Sequence, residues 1–169
     1  MHLIETERLL IDTVTTDDAA FILKLVNSPG WLQYIGDRNV RSLEDARRYI
    51  EKNALKSYKE RGFGPYKMVL KNTNTAIGLC GLLKRDILED VDIGYALLPG
   101  YTGHGYAYDA AAGVLAYANK QLGLQRIVAV TSADNVRSLT LLQKLGLRFE
   151  RTLRFYNQDA LLLGIDFPD

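Results

Sequence analysis

The stretch Val91-Asp92-Ile93-Gly94-Tyr95-Ala96-Leu97-Leu98-Pro99-Gly100-Tyr101-Thr102-Gly103-His104-Gly105-Tyr106-Ala107 decides how this chain folds, because it passes from strand to glycine turn to helix in one run. Val91 to Leu98 suits a strand, and Pro99-Gly100 ends it. After the turn, the alanine-rich run Tyr108 to Gln121 has helical propensity throughout, and Gly123 closes it. The short run Ile127-Val128-Ala129-Val130 is apolar and β-branched, as a buried parallel strand should be. A strand, crossover helix and strand of this kind pair in parallel through a right-handed connection. The glycine turn also has a chemical consequence. A helix start leaves about four backbone N–H groups without partners and carries partial positive charge, so it favours an anion. Gly103 and Gly105 remove the side chains that would hold an anion away from the backbone, and Ala107 continues that clearance. Alone, two glycines equally suit a sharp turn into a helix.

Upstream, Leu9, Ile11 and Val14 lie among polar residues in an extended opening, and Thr15-Thr16-Asp17-Asp18 supplies helix-capping side chains. Ala20, Ile22, Leu23 and Val26 follow at helical spacing until the turn cluster Asn27-Ser28-Pro29-Gly30, after which a loop carries Trp31, Tyr34 and Ile35. Ser42, with Asp45 three positions on, caps a second helix through Tyr58, stopped by Gly62 and Gly64. Residues 66–71 and 76–84 flank the turn Asn72-Thr73-Asn74-Thr75 as a hairpin. Downstream, Asn135 to Leu145 reads as a helix ending at Gly146, and residues 147–153 and 161–167 as final strands. The expected fold is α+β, bordering on α/β. It is one domain over residues 1–169, with a mixed, mostly antiparallel twisted sheet of six to seven strands flanked by about four helices.

Composition narrows the function classes. Hydrophobic residues at 47% and charged residues at 24% are ordinary for a globular domain. Lys+Arg 21 against Asp+Glu 20 gives a formal charge of +1, which argues against nucleic acid or an anionic membrane as partner. Cys80 is the single cysteine and His2 and His104 are the histidines, so neither a disulfide nor a zinc site is expected, and a reducing, cytoplasmic setting follows. The acids Glu5 and Glu7 interrupt any leader-like apolar run, and no stretch of about 18 apolar residues is present.

The stretch Asp92 to Pro99, the turn through Ala107, and Asn135-Val136-Arg137-Ser138-Leu139-Thr140-Leu141-Leu142-Gln143-Lys144-Leu145-Gly146-Leu147 together resemble the GNAT superfamily of acetyl-CoA-dependent N-acetyltransferases. With the Thr6-Glu7-Arg8-Leu9 opening, they are similar in particular to the RimJ/RimL-type branch that acetylates ribosomal-protein N-termini. The resemblance implies that main-chain groups of Leu97 and Leu98 pair with the pantetheine amides of acetyl-CoA. It implies that Thr102, Gly103, His104, Gly105, Tyr106 and Ala107 hold the pyrophosphate, with Asn135, Ser138 and Lys144 completing the cofactor set. Thr102 departs from the Gln or Arg usual at its position, and Leu142 stands where many relatives carry a tyrosine acid. The branch points instead to the Ser138 hydroxyl.

For the base, Glu89 aligns with a glutamate used by some members, and Asp92 with the acid before Ile-Gly-Tyr in this branch. Trp31, Tyr34, Phe63 and Tyr66 are the candidate acceptor-binding aromatics. The function implied is transfer of acetyl to a primary amine, a protein N-terminal α-amine or a small molecule, by direct attack in a ternary complex without a metal. A monomer or a homodimer would serve. Because Leu142 replaces the usual acid, the alternative is a non-catalytic acyl-CoA-binding or regulatory module. A nucleotide-binding Rossmann domain fits poorly, since the glycine turn follows three antiparallel strands instead of opening the chain.

Overall fold

The computed structural model describes residues 2–168. The chain runs β1 (Ile4–Glu5), β2 (Leu9–Thr13), α1 (Ala19–Val26), α2 (Pro29–Tyr34), α3 (Leu43–Ile50), α4 (Lys56–Arg61), β3 (Pro65–Leu70) and β4 (Thr75–Leu83). It continues through β5 (Asp92–Leu97), α5 (Tyr106–Lys120), β6 (Arg126–Thr131), α6 (Val136–Lys144), β7 (Arg148–Phe155) and β8 (Gln158–Asp166). A π-helical stretch, Glu51–Leu55, joins α3 to α4 into one rod. The strands form one eight-stranded sheet, ordered β1-β2-β3-β4-β5-β6-β8-β7. Neighbours are antiparallel except β5 and β6, which are parallel as the crossover requires.

Local chemistry explains where the elements begin. Thr15 and Asp18 form a reciprocal capping box ahead of α1, and Ser42 Oγ accepts from the Asp45 N–H at 3.0 Å to start α3. Two expectations need correction. The sheet gains a strand because β1, only two residues long, pairs Ile4 with Ile11, and so short a segment carries no readable periodicity. The expected loop after α1 is instead the short helix α2, because Pro29 stands in its first turn, where a missing N–H costs nothing.

The two faces of the sheet bury different helices. Leu9, Ile11, Met68, Ile93, Ile127 and Leu163 pack against Ala110, Val114 and Leu142 of α5 and α6. On the opposite face Val14, Leu79 and Leu98 pack against Ile22, Leu25, Ala46 and Ile50 of the N-terminal helices. Each such leucine, isoleucine, valine or methionine contributes about 1.5–3 kcal/mol of burial. Met68 pairs with Gly78 and Val69 with Ala76, so Ile77 is an extra residue, a β-bulge. The bulge shifts the alternation of β4. Ile77, Cys80 and Leu82 share one cluster, while Leu79 joins the other. Cys80 is fully buried, and burial raises its thiol pKa, as suits inert packing.

The joint between β3 and β4 tolerates no side chain at Gly81. A Cβ there would lie 2.3 Å from the Gly64 carbonyl oxygen and 2.5 Å from Pro65 Cα, both backbone atoms. Gly81→Ala should therefore destabilise the protein by at least about 1–3 kcal/mol in urea unfolding. A wild-type midpoint would contradict this close approach.

Candidate functional site

The parallel pair β5 and β6 forms a wedge. Their ladder has a single Cα pair, Asp92 with Val128, backed by the Val128 N–H donating to the Val91 carbonyl at 3.0 Å. From Ile93 onward, β5 has no ladder partner toward β6 among the described residues, although its other edge pairs with β4 throughout. Backbone groups left unpaired in a partly buried cleft favour an extended ligand that has amides of its own. The wedge opens toward the carboxyl ends of both strands. There β5 leads through the glycine turn into α5, and β6 leads into α6. Thr131, the last residue of β6, is 6% exposed, and its buried Oγ1 has no hydrogen-bond partner among the described residues. Such an orphan costs about 1–3 kcal/mol, so a hydrogen-bonding group brought to this end of β6 would be favoured.

The glycine turn has the conformation its sequence demands. Gly103 and Gly105 both have φ of 82°, and Gly105 is the N-cap of α5, which begins at Tyr106, two residues before the expected start at Tyr108. Residues 102–105 are exposed at the mouth of the wedge. Their support comes from across the molecule. Arg8 Nη1 donates to the His104 carbonyl at 2.7 Å, Arg8 Nε donates to Asp109 at 2.8 Å, and the guanidinium lies 4.6 Å from the centre of the Tyr106 ring. Asp109 stands in the first turn of α5, where its charge would repel an incoming anion. The Arg8 pairing offsets that charge. Sequence reasoning noticed Thr6 to Leu9 only as a family opening, since nothing in local spacing links residue 8 to residues 104–109.

Ser138 lies in the first turn of α6, where its N–H is capped by Asn135 Oδ1 at 3.3 Å. Its Oγ is 2.9 Å from the Tyr95 hydroxyl. Burial pushes the Tyr95 pKa up to about 12, with the Ser138 hydrogen bond opposing, so the phenol stays protonated at neutral pH. The sequence reading did not single out Tyr95. Period-two alternation along β5, which puts Tyr95 on the same face as Ile93, is the signal the sequence holds. Leu142, one helical turn on, is 1% exposed in the core. Leu97 is half-buried, Leu98 is buried, and Lys144 is exposed with Nζ 5.4 Å from the centre of the Tyr108 ring.

The two candidate bases differ. Asp92 is 3% exposed at the apex of the wedge, with Arg85 Nε 3.3 Å from Oδ1. Burial raises its pKa to about 6, with Arg85 opposing. Glu89 is exposed in the preceding turn. The four aromatic candidates are not brought together. Tyr66 is 1% exposed, stacked on Tyr58 at 5.8 Å and edge-on to Tyr117 at 6.2 Å, so core packing takes up its ring. Trp31 is buried in the other layer with its indole nitrogen unpartnered among the described residues, Phe63 packs toward the α5 side, and Tyr34 is exposed. Among the described residues, no cluster of His, Cys, Asp or Glu is arranged to hold a metal.

Comparison with known proteins matches residues 8–148 to the acetyltransferase (GNAT) domain. The uncharacterized N-acetyltransferase YoaA of Bacillus subtilis is 31% identical over 156 residues, covering 91% of this chain and 87% of that protein. The structure of a GNAT-family acetyltransferase from Bacillus anthracis superposes with a TM-score of 0.79 at 26% identity, covering 96% of this chain and 97% of that one. The RimL ribosomal-protein α-N-acetyltransferase, solved in complex with coenzyme A, superposes with a TM-score of 0.81 and covers 96% of each chain. At 17% identity, that likeness is one of fold.

Two substitutions test the turn. In Gly105→Val the residue must adopt a φ of 82° and its Cβ presses on Arg8 at 3.1 Å, so a folded variant should bind CoA at least about tenfold more weakly. Arg8→Ala frees His104 and unmasks Asp109, and should weaken CoA by a few-fold to about tenfold. Calorimetric titration with CoA measures both. Unchanged affinity in both folded variants would remove the turn from the phosphate site.

Proposed function

The chain belongs to the GNAT acetyltransferase family, and from that premise we propose that it moves the acetyl group of acetyl-CoA to a primary amine by direct attack in a ternary complex. The observation that carries this reading is the wedge, which has one ladder pair at its apex, two helix starts at its mouth and the orphaned Thr131 hydroxyl beside it. These features fit an extended thioester with amides along its arm and a pyrophosphate at its far end. The edge of β5 through Leu97 and Leu98 pairs with the arm. Residues 102–107 take the pyrophosphate, and Asn135, Ser138 and Lys144 line the α6 side. Likeness to the RimJ/RimL branch, in the Thr6 to Leu9 opening and at Ser138, supports the serine as the group that meets the sulfur. The buried, unpaired thiol of Cys80 is compatible with the reducing, cytoplasmic setting proposed here.

Asp92 takes the base role and Glu89 is left in reserve, because Asp92 is fixed at the apex by the ladder while Glu89 faces solvent. The amine nitrogen bonds to the thioester carbonyl carbon, its proton passes to the Asp92 carboxylate, and the carbon–sulfur bond breaks. The Ser138 hydroxyl, held by Tyr95, donates a hydrogen bond to the departing sulfur. A thiol pKa near 8.5 makes that sulfur a tolerable leaving group without a stronger acid, which accommodates Leu142.

The pKa of Asp92 sets a pH test. Activity needs the ionised carboxylate, so kcat/KM should rise with pH through about 6, and Asp92→Asn should remove that limb and lower kcat about 10²-fold. Stability should run the other way. A carboxyl whose folded pKa is raised above the unfolded value of about 3.9 favours the fold below that value, and this contribution is lost as pH rises through about 6. Wild-type melting temperature should therefore fall from pH 4 to pH 6 relative to Asp92→Asn. Ser138→Ala should lower kcat about tenfold, and Glu89→Gln should stay near wild type. An acetylated enzyme trapped before amine addition would overturn direct attack.

A further inference from the structure

A glycine inside a strand loses more freedom on folding than any other residue and brings no side chain to the sheet, so each one needs a physical reason. For Gly78, Gly81 and Gly164 the fold supplies it. A Cβ at Gly78 would lie 2.2 Å from the Ala96 carbonyl oxygen, one at Gly81 2.3 Å from the Gly64 carbonyl oxygen, and one at Gly164 2.3 Å from Glu150 Oε2. Gly94 of β5 is different. Beyond its chain neighbours, a Cβ there would meet within 4 Å only Leu83 Cδ1, at 3.8 Å, which is ordinary contact. Its φ lies outside the left-handed region that favours glycine. Among the described residues, nothing keeps a side chain out of position 94.

The place of Gly94 in the fold says what the space serves. Ile93, Tyr95 and Leu97 pack into the layer that holds α5 and α6, so alternation sends residues 92, 94 and 96 to the opposite face. On that face Ala96 packs with the N-terminal helices, α2 lies beside β5, and Asp92 is held by Arg85. Gly94 stands between them, part-exposed, on a strand edge with no ladder partner toward β6 among the described residues. Its neighbour Tyr95 meets the Ser138 hydroxyl on the other face. The cofactor site is built from helix starts on the α5 and α6 side, so a thioester in the wedge leaves the Gly94 face as the second approach to its carbonyl carbon. That approach is narrow, because the cross-strand partner Gly81 has its own space filled by the backbone of Gly64 and Pro65.

We propose that Gly94 is a specificity-determining residue on the acceptor side, its missing side chain being the space taken by the carbon next to the attacking amine. This rests on the acetyl-transfer reading and deepens it by assigning the surface that limits branching beside that amine. A methyl added to residue 94 and a methyl added to that carbon compete for the same volume.

The test uses two probes that need no turnover: CoA joined at sulfur, through a CH2–CO link, to the amine of glycinamide or of alaninamide, which differ by one methyl beside the nitrogen. In calorimetric titration the wild type should bind both more tightly than CoA itself, by about tenfold or more. Gly94→Ala should keep the affinity for CoA and most of the glycinamide gain, and lose about tenfold on the alaninamide conjugate. Gly94→Val should lose both gains. Because the added methyl of Gly94→Ala meets only ordinary contact, its urea midpoint should equal or exceed that of the wild type, which separates this loss from a folding defect. Equal losses for the two conjugates in Gly94→Ala, gains untouched in both variants, or a wild type that binds neither conjugate better than CoA would overturn the assignment. A matching loss of affinity for CoA would give the space to the cofactor and overturn it as well. Thiol release from acetyl-CoA with glycinamide, alaninamide, spermidine and a peptide with a free N-terminus is read separately. Absence of release with all of them would overturn acetyl transfer, while the conjugates still decide the role of Gly94.

Discussion

The single ladder pair between Asp92 and Val128 is the constraint on which the site depends. Two parallel strands normally zip along their length, because each further bond satisfies backbone groups that would otherwise be stranded. Here pairing stops at the apex and the strands separate toward their carboxyl ends. The cost is unpaired backbone along one edge of β5. The gain is a cleft at the centre of an otherwise continuous eight-stranded sheet, held open by rigid neighbours, since β4 pairs fully with β5 and β8 fully with β6. Both helices that follow these strands start at the open end, so their N-termini and the bare strand edge converge.

Charge is organised around that geometry in two zones. At the mouth, Arg8 pairs with Asp109 and ties down the His104 carbonyl. At the apex, burial and Arg85 act in opposite directions on Asp92 and leave its pKa near 6, where a carboxylate is both mostly ionised at neutral pH and a better base than a free one. Exposed pairs of the Arg8 kind add little to stability, with side chains 40% and 26% accessible. Their value lies in where they hold the chain. Tyr95 does for Ser138 what Arg8 does for the turn: a neutral phenol fixes a small hydroxyl that would otherwise rotate freely.

What the sequence determined by itself was local. Caps at Thr15, Ser42 and Asn135, the helix-opening glycines, and the strand–helix–strand order are all set by residues within a few positions of one another. Their physics does not wait for the fold. The strand β1 was too short to be periodic, and α2 was hidden because Pro29 both ends one helix and begins the next. The tertiary structure decided which side chains meet. Arg8 with residues 104 and 109, Tyr95 with Ser138 and Arg85 with Asp92 are pairings that exist only once the sheet order is known. The bulge at Ile77 and the burial of Tyr66 belong to the same class, because a strand's alternation says which residues share a face but not what covers it. Long-range pairing carries no signature at short sequence spacing, so a glycine-opened helix start could be read from the chain, while the groups that hold it could not.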